Sequence, residues 1–326
     1  MIRIPHAPLH VAAATHPGTE GRQNEDRYAV SAYRLGPANP TASVFAIVSD
    51  GIGGHRAGEV AAEMAVEAIS HLVAQSDGSH PLDVLDRAIQ SASASIVATA
   101  KDNTQHLGMG TTCACAWVIG ARLFTASVGD SRIYLLRGGT LLQLTVDHTW
   151  VQEAMEKGIL KAEQARNHPN QHVIRRYLGS NKAPQVDNRI RLAKDESDTQ
   201  SRSHQGLQLR PDDVLLLCTD GLTDVVADAE ILACVRGRGA SSEALQAAAR
   251  DLIDLAVQRQ GPDNITIVLL AVPASAAPLK KKQLSPWVWV ALAAVAMCLL
   301  AAALAGGGWL ALHVLLPPSP TATLLP

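Results

Sequence analysis

The sequence predicts an α+β domain over residues 1–272, with an antiparallel sheet core and helices outside it, followed by one membrane-spanning helix. Three observations predict this. Short apolar runs bounded by Gly, Asp or Pro recur along the first 272 residues. Two long helical patterns stand side by side after the early runs and do not alternate with strands. All the charged residues, 28 basic and 30 acidic, lie before residue 283.

In chain order, 43–49 (SVFAIVS) has strand character. Residues 57–75 carry Ala, Glu and Met, with apolar positions at helical spacing. A second helix is expected over 82–102, with Pro81 suited to its first turn. Strands follow at 111–119, 123–128, 132–136 and 140–145, the last two joined through Gly138-Gly139 as a hairpin. A helical pattern at 148–166 comes next. Residues 194–206 (KDESDTQSRSHQG) contain no apolar side chain and read as a flexible surface loop. A strand at 214–219, a helix at 241–259 and a strand at 265–272 complete the domain.

Residues 273–286 (PASAAPLKKKQLSP) form a linker. Residues 287–312 are 26 uncharged, largely apolar positions, enough to span a bilayer, whereas a buried core helix rarely runs this long without a polar face. Trp289 and Trp309 are separated by about 30 Å on a helix, close to the hydrocarbon thickness. The only adjacent charge cluster, Lys280 to Lys282, precedes the helix. The positive-inside rule then places 1–272 in the cytoplasm and leaves 313–326 as a short extracytoplasmic tail. Five cysteines (113, 115, 218, 234 and 298) show no disulfide framework or zinc spacing, and the first residues lack a long apolar run. Both agree with a reducing compartment.

A net charge of −2 argues against a nucleic-acid binder held by bulk charge, and 5 Trp, 4 Tyr and 2 Phe are too few for a base-stacking platform. The informative residues are acids. Asp50 follows 43–49, Asp130 follows 123–128, Asp220 follows 214–219, and Asp263 precedes 265–272. Glu25 and Asp26 add two more beside Arg22. One Asp-Gly is usually a turn. Four acids at the tips of buried strands repel one another and are costly to desolvate, and too few basic residues accompany them. Hard divalent cations resolve that conflict, and Gly51 permits a backbone carbonyl to approach an ion.

Seven motifs occur in order between residues 21 and 266: GRQNED, SDGIGGHRAGE, MGTT, VGDSRIY, TVDHTW, CTDGLTD and GPDNIT. Together they resemble the metal-dependent serine/threonine protein phosphatases of the PP2C (PPM) type, in their bacterial form, over about residues 10–272. The resemblance implies an αββα sandwich of two antiparallel sheets flanked by helices. It implies two or three Mn²⁺ or Mg²⁺ ions. Asp50 would bridge two of them. The Gly51 carbonyl would bind one, with Glu25 and Asp26 serving it directly or through water. Asp220 and Asp263 would bind the other, and Asp130 a third ion shared with Asp220. A metal-bridging hydroxide would attack phosphoserine or phosphothreonine, with Arg22 clamping the phosphate oxygens. Phosphoproteins are the implied partners, among them a membrane serine/threonine kinase and its substrates, at the inner face of a bacterial membrane contacted through 287–312. Eukaryotic members carry a histidine after the Asp-Gly where this chain has Ile52. His55 reads as part of the turn before the first helix, His148 as a structural partner, and Cys113 and Cys115 as core side chains. A phosphoprotein-binding pseudophosphatase and a hydrolase of small phosphate esters remain alternatives.

Overall fold

The computed structural model describes residues 1–20, 23–53, 57–165, 168–237 and 241–274. The chain divides into two units, Met1–Pro278 and Leu279–Pro326, and the second lies outside the described residues, as does the expected helix at 287–312. Among the described residues no helix is long and apolar enough to cross a membrane.

In chain order the elements are β1 (Ile2–Arg3), β2 (His10–His16), β3 (Arg27–Arg34), β4 (Ala42–Ser49), β5 (Gly51–Ile52), α1 (Ala57–Gln75) and α2 (Pro81–Asp102). Then come β6 (Gly110–Thr111), β7 (Cys113–Ile119), β8 (Arg122–Val128), β9 (Arg132–Arg137), β10 (Thr140–Gln143), α3 (Trp150–Glu156), α4 (Ala162–Ala165) and α5 (Asp198–Ser203). The last are β11 (Leu207–Gln208), β12 (Val214–Cys218), α6 (Asp220–Thr223), α7 (Asp228–Val235), α8 (Ser242–Gln258) and β13 (Ile265–Ala271).

Two antiparallel sheets carry the fold, in the orders β1-β3-β4-β7-β8-β11 and β10-β9-β12-β13-β2. Side-chain alternation explains the layers. In β4, Val44, Ala46 and Val48 face the core between the sheets, with Ala114 and Ala116 of β7, Ile133 and Leu135 of β9, and Val268 and Leu270 of β13. The intervening Phe45 and Ile47 face the other way, into a layer built with Ala61, Ala65 and Ile69 of α1 and Leu85, Ile89 and Ile96 of α2. On the far sheet, Leu216, Ile267 and Leu269 pack against Leu245, Leu252 and Ala256 of α8. Strands buried on both faces read as continuous apolar runs, as 43–49, 214–219 and 265–272 do. Cys113 and Cys115 are fully buried in the α1–α2 layer, as core side chains.

Two expectations are corrected. The helix expected over 148–166 breaks at Gly158, whose φ of +68° ends α3 before the short α4 begins. The stretch 194–206 is an anchored part of the domain. Ser197 and Gln200 form a capping box at α5, Ser201 is fully buried, and its carbonyl accepts from Ile190 N at 2.9 Å. Gln205 bonds the backbone of Thr125 in both directions. Most of the segment is exposed, but Glu196, His204 and Gln205 bond backbone groups of the domain, so a polar surface stretch is here held in place.

Candidate metal centre

Antiparallel pairing brings the acids to one end of the sandwich. The start of β3 lies beside the end of β4 (Arg27 opposite Ser49), so Asp26 and Asp50 are neighbours. The end of β12 lies beside the start of β13 (Cys218 opposite Ile267), which brings Asp220 and Asp263 together. Cys218 also lies opposite Arg132, the second residue after Asp130.

Backbone bonds hold each tip. Asp50 N donates to Thr112 Oγ1 at 3.0 Å, and Thr112 N returns a bond to the Asp50 carbonyl at 2.9 Å. Thr219 Oγ1 donates to Asp26 Oδ2 at 2.8 Å. Asn264 Oδ1 accepts from Glu25 N at 2.8 Å, joining the first motif to the last, and Asp263 Oδ1 accepts from Asn264 N at 2.7 Å. Gly51 and Gly58 meet at the start of α1. A Cβ on Gly51 would strike the Gly58 and Glu25 carbonyls, and one on Gly58 would strike the Glu25 carboxylate. Both positions therefore require glycine, and Glu25 lies against Gly51 and the first turn of α1.

The electrostatics are those of acids without enough cations. Burial raises Asp50 well above the usual carboxylate range, and the charges of Asp220 and Asp26 add to the rise. Asp50 and Asp220 are within hydrogen-bonding reach of each other; Asp220 is also raised, first by burial and then by Asp263. Asp26 is pushed up to about 7 by burial, against the hydrogen bonds of Thr266 and Thr219. Asp130 is raised by burial and then by Asp220 and Asp147. The neighbouring guanidinium, Arg132, is committed to Asp147 through Nε and Nη2, the latter at 2.7 Å.

Among the described residues no three acidic, histidine or cysteine side chains are already drawn around one point. The donor set nevertheless fits a hard cation. Asp26, Asp130 and Asp220 each bury an Oδ1 with no hydrogen-bond partner, all the candidate donors are oxygens, and the excess charge is negative. Of the residues expected at the site, Glu25, Asp26, Asp50, Gly51, Asp130, Asp220 and Asp263 gather at this end. Arg22 and His55 lie outside the described residues.

One acid was missed from the sequence. Asp224 is pushed up to about 7 by burial and the charge of Asp220, and its Oδ2 lies 3.1 Å from His172 Nδ1. With Asp130, Asp220 and His172 it lines a cleft of about 890 Å³. The usable signal was its place one helical turn after Asp220.

The protein phosphatase 2C family profile matches residues 18–252. The serine/threonine protein phosphatase PstP of Mycobacterium tuberculosis is 36% identical over 253 residues, 76% of this chain. This chain covers 45% of PstP, so it spans about half the length of that relative. The serine/threonine phosphatase stp of Listeria welshimeri is 32% identical over 266 residues, covering 80% of this chain and 95% of that protein. A crystal structure of the catalytic domain of PstP in complex with two manganese ions matches with a TM-score of 0.63 at 32% identity, covering 81% of this chain and 97% of that one. Sequence, fold and acid cluster agree: the chain belongs to the protein phosphatase 2C family.

Proposed function

We propose that this chain hydrolyses phosphoserine and phosphothreonine in proteins, using Mn²⁺ or Mg²⁺. The observation that carries this reading is the set of buried, mutually raised carboxylates with unpartnered oxygens at one end of the sandwich. Asp26, Asp50, Asp220 and Asp263 would hold two ions, with Glu25 and the Gly51 carbonyl on the Asp26 side. Asp130 and Asp220 would hold a third. When bound, the ions make a nucleophile from water at neutral pH and offset charge on the phosphoryl oxygens.

The chain's own residues supply the positioning. Thr219 fixes the Asp26 carboxylate, Thr112 fixes the turn at Asp50, and Asn264 ties Glu25 to the Asp263 turn. Arg22 would clamp the phosphate bidentately, a role for which a guanidinium suits better than an ammonium. The cleft beside Asp220 and Asp224 leaves room for the polypeptide around the phosphorylated residue.

The same reading tethers the domain to a membrane. Its support is the uncharged run 287–312 and the lysines before it, which orient the domain toward the cytoplasm. A membrane-embedded serine/threonine kinase, with its substrates, is the partner that such a location favours, by family analogy. A full chain that fractionates as soluble without detergent contradicts the tether.

For the activity, the purified chain is assayed on phosphothreonine peptides. Turnover is expected with Mn²⁺, none with EDTA, and a loss of several orders of magnitude in Asp50→Asn. Full activity in EDTA contradicts the metal reading. Binding of phosphopeptide without turnover supports the pseudophosphatase, and turnover of nucleotides alone supports the small-ester hydrolase.

A further inference from the structure

We propose that His148 is a positioning residue for Asp130, and that Asp187 and Arg189 link it to the segment around α5. The inference rests on reading Asp130 as a metal ligand. Asp130 Oδ1 is buried with no hydrogen-bond partner, so the direction of this carboxylate depends on the turn that carries it. That turn needs a glycine and is held in place. Gly129 has φ +107°, and a Cβ there would strike the side chain of Thr112. Ser131 Oγ bonds Thr112 Oγ1 at 2.6 Å on the other side.

His148 grips Gly129 twice. Its Nδ1 accepts from Gly129 N at 3.0 Å, and its own backbone N donates to the Gly129 carbonyl at 3.0 Å. An Nδ1 that accepts leaves the ring proton on Nε2, which lies 3.2 Å from Asp187 Oδ2. Asp187 therefore sets both the tautomer and the ring plane, as carboxylates do for histidines that serve metal sites. Asp187 is itself immobilised. Its backbone bonds Ser127 in both directions at 3.0 Å, and its carboxylate takes Arg189 Nε at 2.9 and 3.0 Å and Nη2 at 2.5 Å. Arg189 Nη1 then reaches Asp198 of α5 at 2.8 Å. His148, Asp187 and Arg189 are all buried. A polar chain thus runs from a surface helix to the backbone that aims Asp130.

The test is Mn²⁺ calorimetry without substrate, read as a double-mutant cycle with Asp130→Ala. His148→Asn places an amide oxygen near the position of Nδ1 and keeps the Gly129 bond. His148→Gln places its amide near Nε2 and gives that bond up. The dissociation constant of the weakest Mn²⁺ class is expected to rise about tenfold in His148→Gln and in Asp187→Ala. In His148→Asn it stays within about threefold of wild type, and none of the three changes matters once Asp130 is Ala. Should His148→Gln fail to fold, Asp187→Asn, which preserves shape but removes the charge facing Arg189, carries the same cycle. Equal losses in the Asn and Gln variants, or losses undiminished in the Asp130→Ala background, overturn the proposal. A wild-type chain that binds no Mn²⁺ overturns the metal reading as well, which separates the two failures.

Discussion

Asp26→Asn is expected to stabilise the protein when divalent ions are removed. Asp26 is buried among like charges, and its carboxyl rises from 3.8 to about 7, first through burial and then against two threonine hydrogen bonds. A raised acid binds more protons in the folded state than in the unfolded one. Stability therefore falls as pH rises from about 4 to about 7 and stays low above that. A rise of that size is worth about 4 kcal/mol for one carboxylate. Asparagine carries no charge and still accepts from Thr219 through its amide oxygen. At pH 8 in EDTA the variant is expected to melt roughly 8 °C above wild type, using about 2 °C per kcal/mol for a domain of this size. The advantage shrinks as pH approaches 4, where the wild-type carboxyl is already protonated. Excess Mn²⁺ reverses the order, because the wild type gains ligand-linked stability that the variant lacks. Differential scanning fluorimetry across pH 4–8, with EDTA and with Mn²⁺, reads all three. An Asp26→Asn variant that melts at or below wild type in EDTA at pH 8 refutes the reasoning.

Other predictions follow from parts of the fold away from the acids. Asp187 is held well below the usual range: burial opposes this, but the His148 and Arg189 bonds and the Arg189 charge outweigh it. A lowered acid stabilises above its unfolded value near 4 and loses that contribution as pH falls through its folded value. Asp187→Asn is thus expected to melt below wild type at pH 7, with the gap closing under pH 4; a gap independent of pH contradicts this. Deleting 194–206 is expected to lower the melting temperature by more than 5 °C, because it unpairs Arg189 from Asp198 and removes the buried Ser201; an unchanged melting curve contradicts it. Trp117→Ala is expected to cost about 3–5 kcal/mol in denaturant titrations, since the ring is fully buried, stacks edge-on to Phe45 and donates to Ser43 Oγ at 2.7 Å; a cost under about 1 kcal/mol contradicts it.

What could be read from the sequence was the doubly buried part of the fold. A strand covered on both faces cannot be mistaken for a loop, and 43–49 and 214–219 run into an acid while 265–272 follows one, positions that the pairing then turned into proximity. Of the longer strands, β2 and β3, each with a partly exposed face, were missed. In β2, HVAAATH, small residues and terminal histidines dilute the alternation, and only the register with β13 reveals it. In β3, RYAVSAYR, the charged ends resemble a connection. Composition placed 194–206 at the surface but could not show its anchoring, which comes from hydrogen bonds of Glu196, Ser201, His204 and Gln205 and not from apolar burial. Asp224 was missed for another reason. Its importance comes from Asp220, one turn before it, and from His172, which reaches it only when the segment after α4 folds against α6.

The claim that the acid cluster is a metal centre is tested most directly by anomalous diffraction from Mn²⁺-soaked crystals. The account predicts a pair of manganese peaks that share Asp50, one on the Asp26 side and one between Asp220 and Asp263, both absent in Asp50→Asn. Manganese found only at other surfaces of the protein, with the Asp50, Asp220 and Asp263 carboxylates bonded to one another or to water alone, contradicts it.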